Sequence, residues 1–331
     1  MLGRRCPGWA ADACLRAGTF LGLRKHSGDR TMQDTKDMTG AADAAQRRRR
    51  LRRALAAEAP LIVPGCYDVM SALLAQQAGF EAVVVSGFGV SASLLGLPDM
   101  ELCTASETIQ VCGNVAARVD MPVLADADDG YGNALNVMRT VQALEQRGVS
   151  AITLEDQVSP KRCPLLGEPP ALVSIDEAEG KLRAALRARR DPELMIVARI
   201  DAHDEAEVLA RARRYADTGV DAIKLVSPAL RRLAFLDEVR HACGLPLFIA
   251  ALGWAGRQAA GAFDGKVAVV THPLMPLMSA AAAVQGNLLA LREGRPLPQA
   301  PLALDALEHV LGLPGLHALE QAYLPRLDGT R

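Results

Sequence analysis

The sequence predicts an α/β fold: a closed (β/α)₈ (TIM) barrel with additional helices at its C-terminal end. Three observations carry that expectation. Eight short apolar, β-branched runs recur between residues 61 and 270. Each is followed by a polar or glycine-bearing turn and then a helical stretch, the pattern of a parallel sheet covered on both faces. An open doubly wound sheet usually has a glycine-rich first turn, and this chain has none.

In chain order, residues 1–45 are rich in Gly, Arg, Asp and Thr and show no sustained apolar period. An arginine-rich start fits a targeting peptide, but Asp12, Asp29, Asp34 and Asp37 are unusual in one. The reading adopted is a disordered extension, with Met32 or Met38 as the start of the folded protein. The run Arg47–Arg50, then Arg52 and Arg53, resembles a nucleic-acid patch in isolation. Followed by Leu55-Ala56-Ala57 it reads as the solvated face of a first helix. The expected strands are Leu61–Pro64, Ala82–Val85, Pro122–Ala125, Ala151–Leu154, Met195–Ala198, Ala222–Val226, Pro246–Ala250 and Val267–Val270. Glycines at 79, 148, 219 and 244 end the helices that precede four of them. The barrel domain is set at residues 46–295 and a C-terminal helical extension at 296–331; helices are expected over 275–293 and 303–323 around a proline-rich link.

Composition narrows the function. Lys and Arg number 37 against 38 Asp and Glu, a net charge of −1, so nothing global points to nucleic acid or an anionic membrane. Aromatics at 4% also disfavour a base-stacking surface. Seven scattered cysteines without a Cys-x-x-Cys pair read as reduced thiols of a cytoplasmic protein. No apolar run reaches the length of a membrane span.

Barrel chemistry sits at the C-terminal strand ends. There the sequence places Tyr67-Asp68, Ser86-Gly87, Asp126 through Gly132, Glu155-Asp156-Gln157, Arg199-Ile200-Asp201, Lys224 and His272. Carboxylates gathered on one rim need countercharge, and a hard divalent cation with oxygen ligands supplies it. Asp126 and Asp128 are read as alternate residues of one strand, sharing a face, with Glu155 on the adjacent strand. The plainer alternative is that these acids cap helices or pair with Arg199 and Lys161. The segment Gln157–Leu172 is long enough for an active-site lid, and Cys163 lies in it beside Lys161-Arg162. Basic neighbours lower a thiol's pKa; the bland reading of Cys163 is a packing residue. His272 ends the last strand, where the plain reading of a histidine is a hydrogen bond to a loop carbonyl.

Taken together, Pro64-Gly65-Cys66-Tyr67-Asp68, Val85-Ser86-Gly87, Asp126-Ala127-Asp128-Asp129-Gly130-Tyr131-Gly132, Leu154-Glu155-Asp156-Gln157, Pro160-Lys161-Arg162-Cys163 and Ala198-Arg199-Ile200-Asp201-Ala202 resemble the isocitrate lyase and phosphoenolpyruvate mutase superfamily, over about residues 50–295. The resemblance implies a helix-swapped homodimer or homotetramer, Mg²⁺ (or Mn²⁺), and cleavage of C–C or P–C bonds in small 2-hydroxy or 2-oxo acids through an enolate-like intermediate. It implies that Asp126, Asp128 and Glu155 position the metal with support from Asp68. Tyr67, Ser86 and Gly87 would hold the substrate, Arg199 the oxyanion, and Cys163, with Lys161 and His272, would serve catalysis.

Departures from the superfamily pattern narrow the branch. The lyase loop Lys-Arg-Cys-Gly-His becomes Lys161-Arg162-Cys163-Pro164-Leu165. The usual Glu after the sixth strand and Asn-x-x-Glu after the seventh are replaced by Ser227-Pro228 and Ala250–Trp254, and a distal arginine by Leu277-Met278. Those losses disfavour methylisocitrate, whose outer carboxylates would go unpaired. The pocket around Trp254, Leu277 and Met278 suits an apolar tail or a small substrate. A Mg²⁺-dependent C–C lyase or decarboxylase is the leading expectation. The alternatives are P–C mutase or hydrolase chemistry, disfavoured by the retained Cys163, and a catalytically inactive barrel that binds a partner.

Overall fold

The computed structural model describes residues 43–163, 170–259 and 261–324. The expected extension therefore lies outside the described residues, except for its last three positions, as do Pro164 and Leu165 of the loop. Asp43 caps helix α1 (Ala44–Ala54), its carboxylate accepting from the Ala45 N–H at 3.1 Å. The eight strands are β1 (Leu61–Cys66), β2 (Val83–Val85), β3 (Val123–Asp126), β4 (Ala151–Glu155), β5 (Met195–Ile200), β6 (Ala222–Leu225), β7 (Leu247–Ala250) and β8 (Val269–His272). Each pairs in parallel with the next, and β8 returns to β1 through Leu61 opposite Val269, closing the barrel.

Helices follow the strands: α2 (Val69–Gln77), the single turn α3 (Gly87–Val90) running into a π-helical turn over Ser91–Leu95, α4 (Ala105–Ala116), α5 (Ala134–Gln146), α6 (Ile175–Ala188), α7 (Glu205–Ala216) and α8 (Leu233–Cys243). The four glycines expected to end helices all take left-handed φ values of 66–92°, where a β-carbon would be strained. Alternation along the strands separates two cores. Val63, Val84, Leu124, Ala151, Met195, Val197, Ala222, Phe248 and Val269 fill the barrel. The intervening residues, such as Val85, Ile152, Ile196 and Ile223, face the helices.

One expectation is corrected at the N-terminal end. Arg47 and Arg48, read as a solvated face, are only 3% and 4% exposed. Arg47 donates to the carbonyls of Ala116 and Val119 at 2.6 and 2.8 Å, and Arg48 to that of Val149 at 2.9 Å and to Asp191 at 2.6 Å. These guanidiniums satisfy carbonyls on the turns leading into β3 and β4, so α1 is tied to the base of the barrel by charge-assisted bonds. After β8 come α9 (Met275–Arg292), α10 (Leu304–Leu311) and α11 (Leu313–Tyr323). The last two, expected as one helix, are separated by Gly312 at φ 84°. No helix among the described residues is long and apolar enough to cross a membrane.

Candidate active site

Inward-facing positions carry the chemistry once each strand clears the apolar interior. Above Leu124 comes Asp126, above Ala151 and Thr153 comes Glu155, above Val197 comes Arg199, and above Ala222 comes Lys224. Asp128 arrives differently from the sequence reading. β3 ends at Asp126, and Asp128 lies in the following turn at φ 47°, with Tyr131 at 63°. A non-glycine residue in the left-handed region is strained, and such strain gathers at functional sites. Among the contacts that hold the turn, the Glu155 N–H donates to the Asp128 carbonyl at 2.9 Å, and buried Lys181 pairs with Asp129 at 2.9 Å.

The turn brings one ligand atom from each of Asp126, Asp128 and Glu155 within 4.8 Å of the others. Opposite ligands of a Mg²⁺-sized ion stand about 4.2 Å apart, so the spread suits an ion held partly through water. Asp126 Oδ1 and Glu155 Oε1 are buried without a hydrogen-bond partner. A β-carbon on Gly87 would come within 3.2 Å of Asp128 Oδ1 and 3.9 Å of Asp126 Oδ2. Bare glycine backbone thus leaves room beside the acids, and the orphaned oxygens fit a cation.

Charge balance argues the same way. Asp99, Asp126, Asp128, Glu155 and Asp201 influence one another across the site, against Lys161, Arg199 and Lys224. With all five acids ionised two negative charges are left over, the amount a divalent ion neutralises. Arg199 contacts Glu155 at 2.6 Å, Asp201 at 3.0 Å and Asp126 at 3.7 Å. Lys161 contacts Asp99 at 2.6 Å and Asp128 at 3.0 Å. Burial pushes the Asp128 carboxyl up to about 6, against the pull of Lys161. Burial also raises Glu155 well above the usual carboxylate range, despite Arg199 and Lys161. At Asp126 the burial penalty is outweighed by Lys224, Arg199 and Lys161, which together hold the carboxyl low.

Behind this layer stands a supporting one. Gln157 donates to Asp201 at 2.8 Å, and Asp156 accepts from the Asp201 N–H at 3.0 Å, Arg211 at 3.1 Å and the Tyr215 hydroxyl at 2.9 Å. The loop after β4 is gripped from the far side by Glu101, which accepts from the Lys161 N–H at 2.8 Å and the Ser159 hydroxyl at 2.9 Å. Half-buried Cys163 follows two residues later.

Not every expected residue converges here. Asp68, expected to support the metal, accepts from the Ser71 N–H at 2.7 Å as the N-cap of α2. Ser86 caps α3 through the Gly89 N–H at 3.3 Å, which sets Gly87 against the acids. Tyr67 packs beside Gly89 at the end of β1. His272 alternates with the inward-facing Val269 and Thr271, and it falls on the opposite side of the sheet. Its imidazole is held below the usual value by burial alone, with no site carboxylate acting on it. Sequence reasoning missed Asp99, which reaches the site from the β2–α4 loop.

Fold and site together define a barrel enzyme whose acids can hold a metal ion. A family model, phosphoenolpyruvate phosphomutase, matches residues 51–290, and the chain belongs to that family. It is 42% identical over 183 residues to 2,3-dimethylmalate lyase of Eubacterium barkeri, covering 54% of this chain and 63% of that protein. The matched stretch thus spans somewhat less than two thirds of that relative. It is 40% identical over 205 residues to an oxaloacetate decarboxylase of Ectopseudomonas mendocina (strain ymp), covering 61% and 69%. A crystal structure of phosphonopyruvate hydrolase complexed with oxalate and Mg²⁺ superimposes with a TM-score of 0.76 at 29% identity, over 84% of this chain and 99% of that one.

Proposed function

We propose that the chain is a Mg²⁺-dependent lyase, Mn²⁺ serving as a substitute, that cleaves or decarboxylates a small 2-hydroxy or 2-oxo carboxylic acid. The observation that carries this reading is the buried triad Asp126, Asp128 and Glu155 with unsatisfied oxygens, set against Arg199. Names of relatives support the substrate class: one is a dimethylmalate lyase, another an oxaloacetate decarboxylase.

Bound at the triad, the ion would supply Lewis-acid polarisation of the substrate's carboxylate and 2-oxygen. The remaining roles fall to the chain. Arg199, already fixed by Asp201 and Glu155, presents its guanidinium where negative charge develops on the 2-oxygen. The Gly87 backbone faces the same space and orients the carboxylate together with the Ser86 hydroxyl, the Ser86 N–H being spent on the Cys66 carbonyl at 3.0 Å. In a 2-hydroxy acid a carboxylate of the site takes the 2-hydroxyl proton as that carbon becomes a carbonyl. The electron pair of the broken C–C bond leaves with the departing fragment as an enolate, and the Cys163 thiol returns a proton to its carbon. In a 2-oxo acid CO₂ departs and the enolate left behind takes that proton. Lys161 anchors that loop to Asp99 and Asp128.

The same reading makes the protein a cytoplasmic homo-oligomer, a dimer or tetramer. Its support is the face of α9, where Met278, Leu288 and Leu291 are 63%, 61% and 69% exposed. So large an apolar surface marks an interface.

The test is a coupled assay for pyruvate and glyoxylate, with and without Mg²⁺, on oxaloacetate, dimethylmalate, methylisocitrate and malate-like acids. Mg²⁺-dependent release of a 2-oxo acid is the expected result. Silence from a protein that binds no Mg²⁺ would replace this reading with that of a non-catalytic binding barrel.

A further inference from the structure

On the same rim as the acids, over the ends of β6 and β7, lies a cavity of about 310 Å³. Its walls include Val226, Ala250, Leu252 and Trp254, with Arg231 and Arg257 at its edge. The register links it to the site. Ala222 faces the barrel interior and Lys224, two residues on, faces Asp126, so Val226 takes the next inward position. Phe248 faces inward on β7, and Ala250 follows it in the same phase. Two walls of the cavity therefore stand one step above the level of Lys224, and Leu225, Leu230 and Ala255 of the helix-facing core complete it, so it runs outward from the barrel mouth.

The lining has a definite chemistry. Trp254 is braced edge-on against Phe263, with ring centroids 6.5 Å apart. The Ser227 hydroxyl donates to the Ala202 carbonyl and accepts from the Ala229 N–H, so it shapes the loop and has no proton left to donate to an anionic ligand. Arg231 donates to the Pro228 carbonyl at 2.8 Å, which fixes its head. No acidic residue lines the cavity, and among the described residues neither Arg231 nor Arg257 has a carboxylate partner. Their neighbour Arg232 differs: it pairs with Glu205 and Glu238, both at 2.6 Å. The volume equals about ten water molecules at roughly 30 Å³ each, far more than a methyl group fills.

We propose that this cavity receives the far end of the substrate, an aliphatic chain of several carbons that ends in a carboxylate paired with Arg231 and Arg257. The apolar walls take the chain, and the guanidiniums take the terminal anion in fork geometry. The proposal rests on the lyase reading above and adds the substrate's shape to it. The distal anchor missing from the final helix, where Leu277-Met278 stand, is thus supplied from the β6–α8 and β7–β8 loops. Neither Leu277 nor Met278 lines the cavity.

The test is calorimetric binding of three 2-oxo acids to the Mg²⁺-loaded protein: pyruvate, 2-oxohexanoate and 2-oxoadipate. The last two share a chain length and differ in the terminal carboxylate. The expected result is about tenfold tighter binding of 2-oxoadipate than of 2-oxohexanoate. In the R231A/R257A variant that preference collapses to less than twofold, while Trp254→Ala weakens both six-carbon ligands together. Equal binding of the two by the unmodified protein overturns the proposal, as does a preference that survives in R231A/R257A. Pyruvate separates the two levels of the argument. If pyruvate binds and the preference is absent, only the cavity assignment fails; if pyruvate itself does not bind, the lyase reading and this extension fall together.

Discussion

The two halves of the barrel mouth are built on opposite plans. At the ends of β3, β4 and β5, the acids and the cations Arg199 and Lys161 are buried and bonded to one another. At the ends of β6 and β7 the wall is apolar, the guanidiniums are exposed, and a cavity stays open. A rigid, charge-dense half suits bond breaking, because preorganised charges need not reorganise when the substrate does. An open, apolar half edged by exposed guanidiniums suits recognition of whatever the bond-breaking end does not touch. The division teaches that reaction class and substrate identity are written in different loops of one fold.

The largest expected effect comes from the charged half. Arg199→Ala leaves Glu155 and Asp201 buried without their cation, which costs about 3–5 kcal/mol of stability. Together with the lost oxyanion partner, it lowers kcat by about 10²–10³. Denaturant melts and steady-state rates read the two losses separately, and a variant with unchanged stability would contradict the network. Cys163→Ser comes next, with kcat falling about 10²-fold or more for want of a proton donor. Its Mg²⁺ titration should not move, and undiminished turnover would assign proton return to another group.

Protonation sharpens the same half. In the metal-free protein the Asp128 carboxyl is pushed up to about 6. Below that pH it carries a proton that an incoming cation must displace. Metal affinity should therefore fall as pH drops through 6. Calorimetry in buffers of different ionisation heat should show more protons released at pH 5.5 than at pH 8, with Glu155, raised well above the usual range, as the source of any released at the higher pH; pH-independent release would count against Asp128 as a ligand. The smallest effect separates two acids. Asp68→Ala removes an N-cap and costs about 1 kcal/mol of stability without moving metal affinity. Asp99→Ala should do the reverse in kind, shifting metal affinity by leaving Lys161 to Asp128 alone. Similar Mg²⁺ titrations for the two variants would erase the distinction.

Much of this was legible from residues alone. All eight strands fall within two residues of their expected positions at either end, because a buried parallel strand needs an apolar run that little else in the chain imitates. Asp126, Glu155 and Arg199 were readable for the same reason: each extends a strand whose inner face is already marked by apolar partners. Asp128 was found by proximity but with the wrong geometry, since a left-handed turn breaks the alternation that the reading assumed. Asp99 was missed because it sits in an irregular loop with no period to place it; Pro98 before it signals only a turn. The buried Arg47 and Arg48 were unreadable, as their carbonyl partners lie 69 to 101 residues away. The phase of His272, by contrast, could have been counted from Val269.

The central claim is that the β3–β4 rim holds the metal and the β6–β7 rim does not. Electron paramagnetic resonance of Mn²⁺ titrated into the metal-free protein tests it most directly. The account predicts one bound Mn²⁺ per chain in the unmodified protein and in the R231A/R257A variant, and none at equal concentration in Asp128→Ala. Binding that survives in Asp128→Ala, or is absent from the unmodified chain, would contradict it.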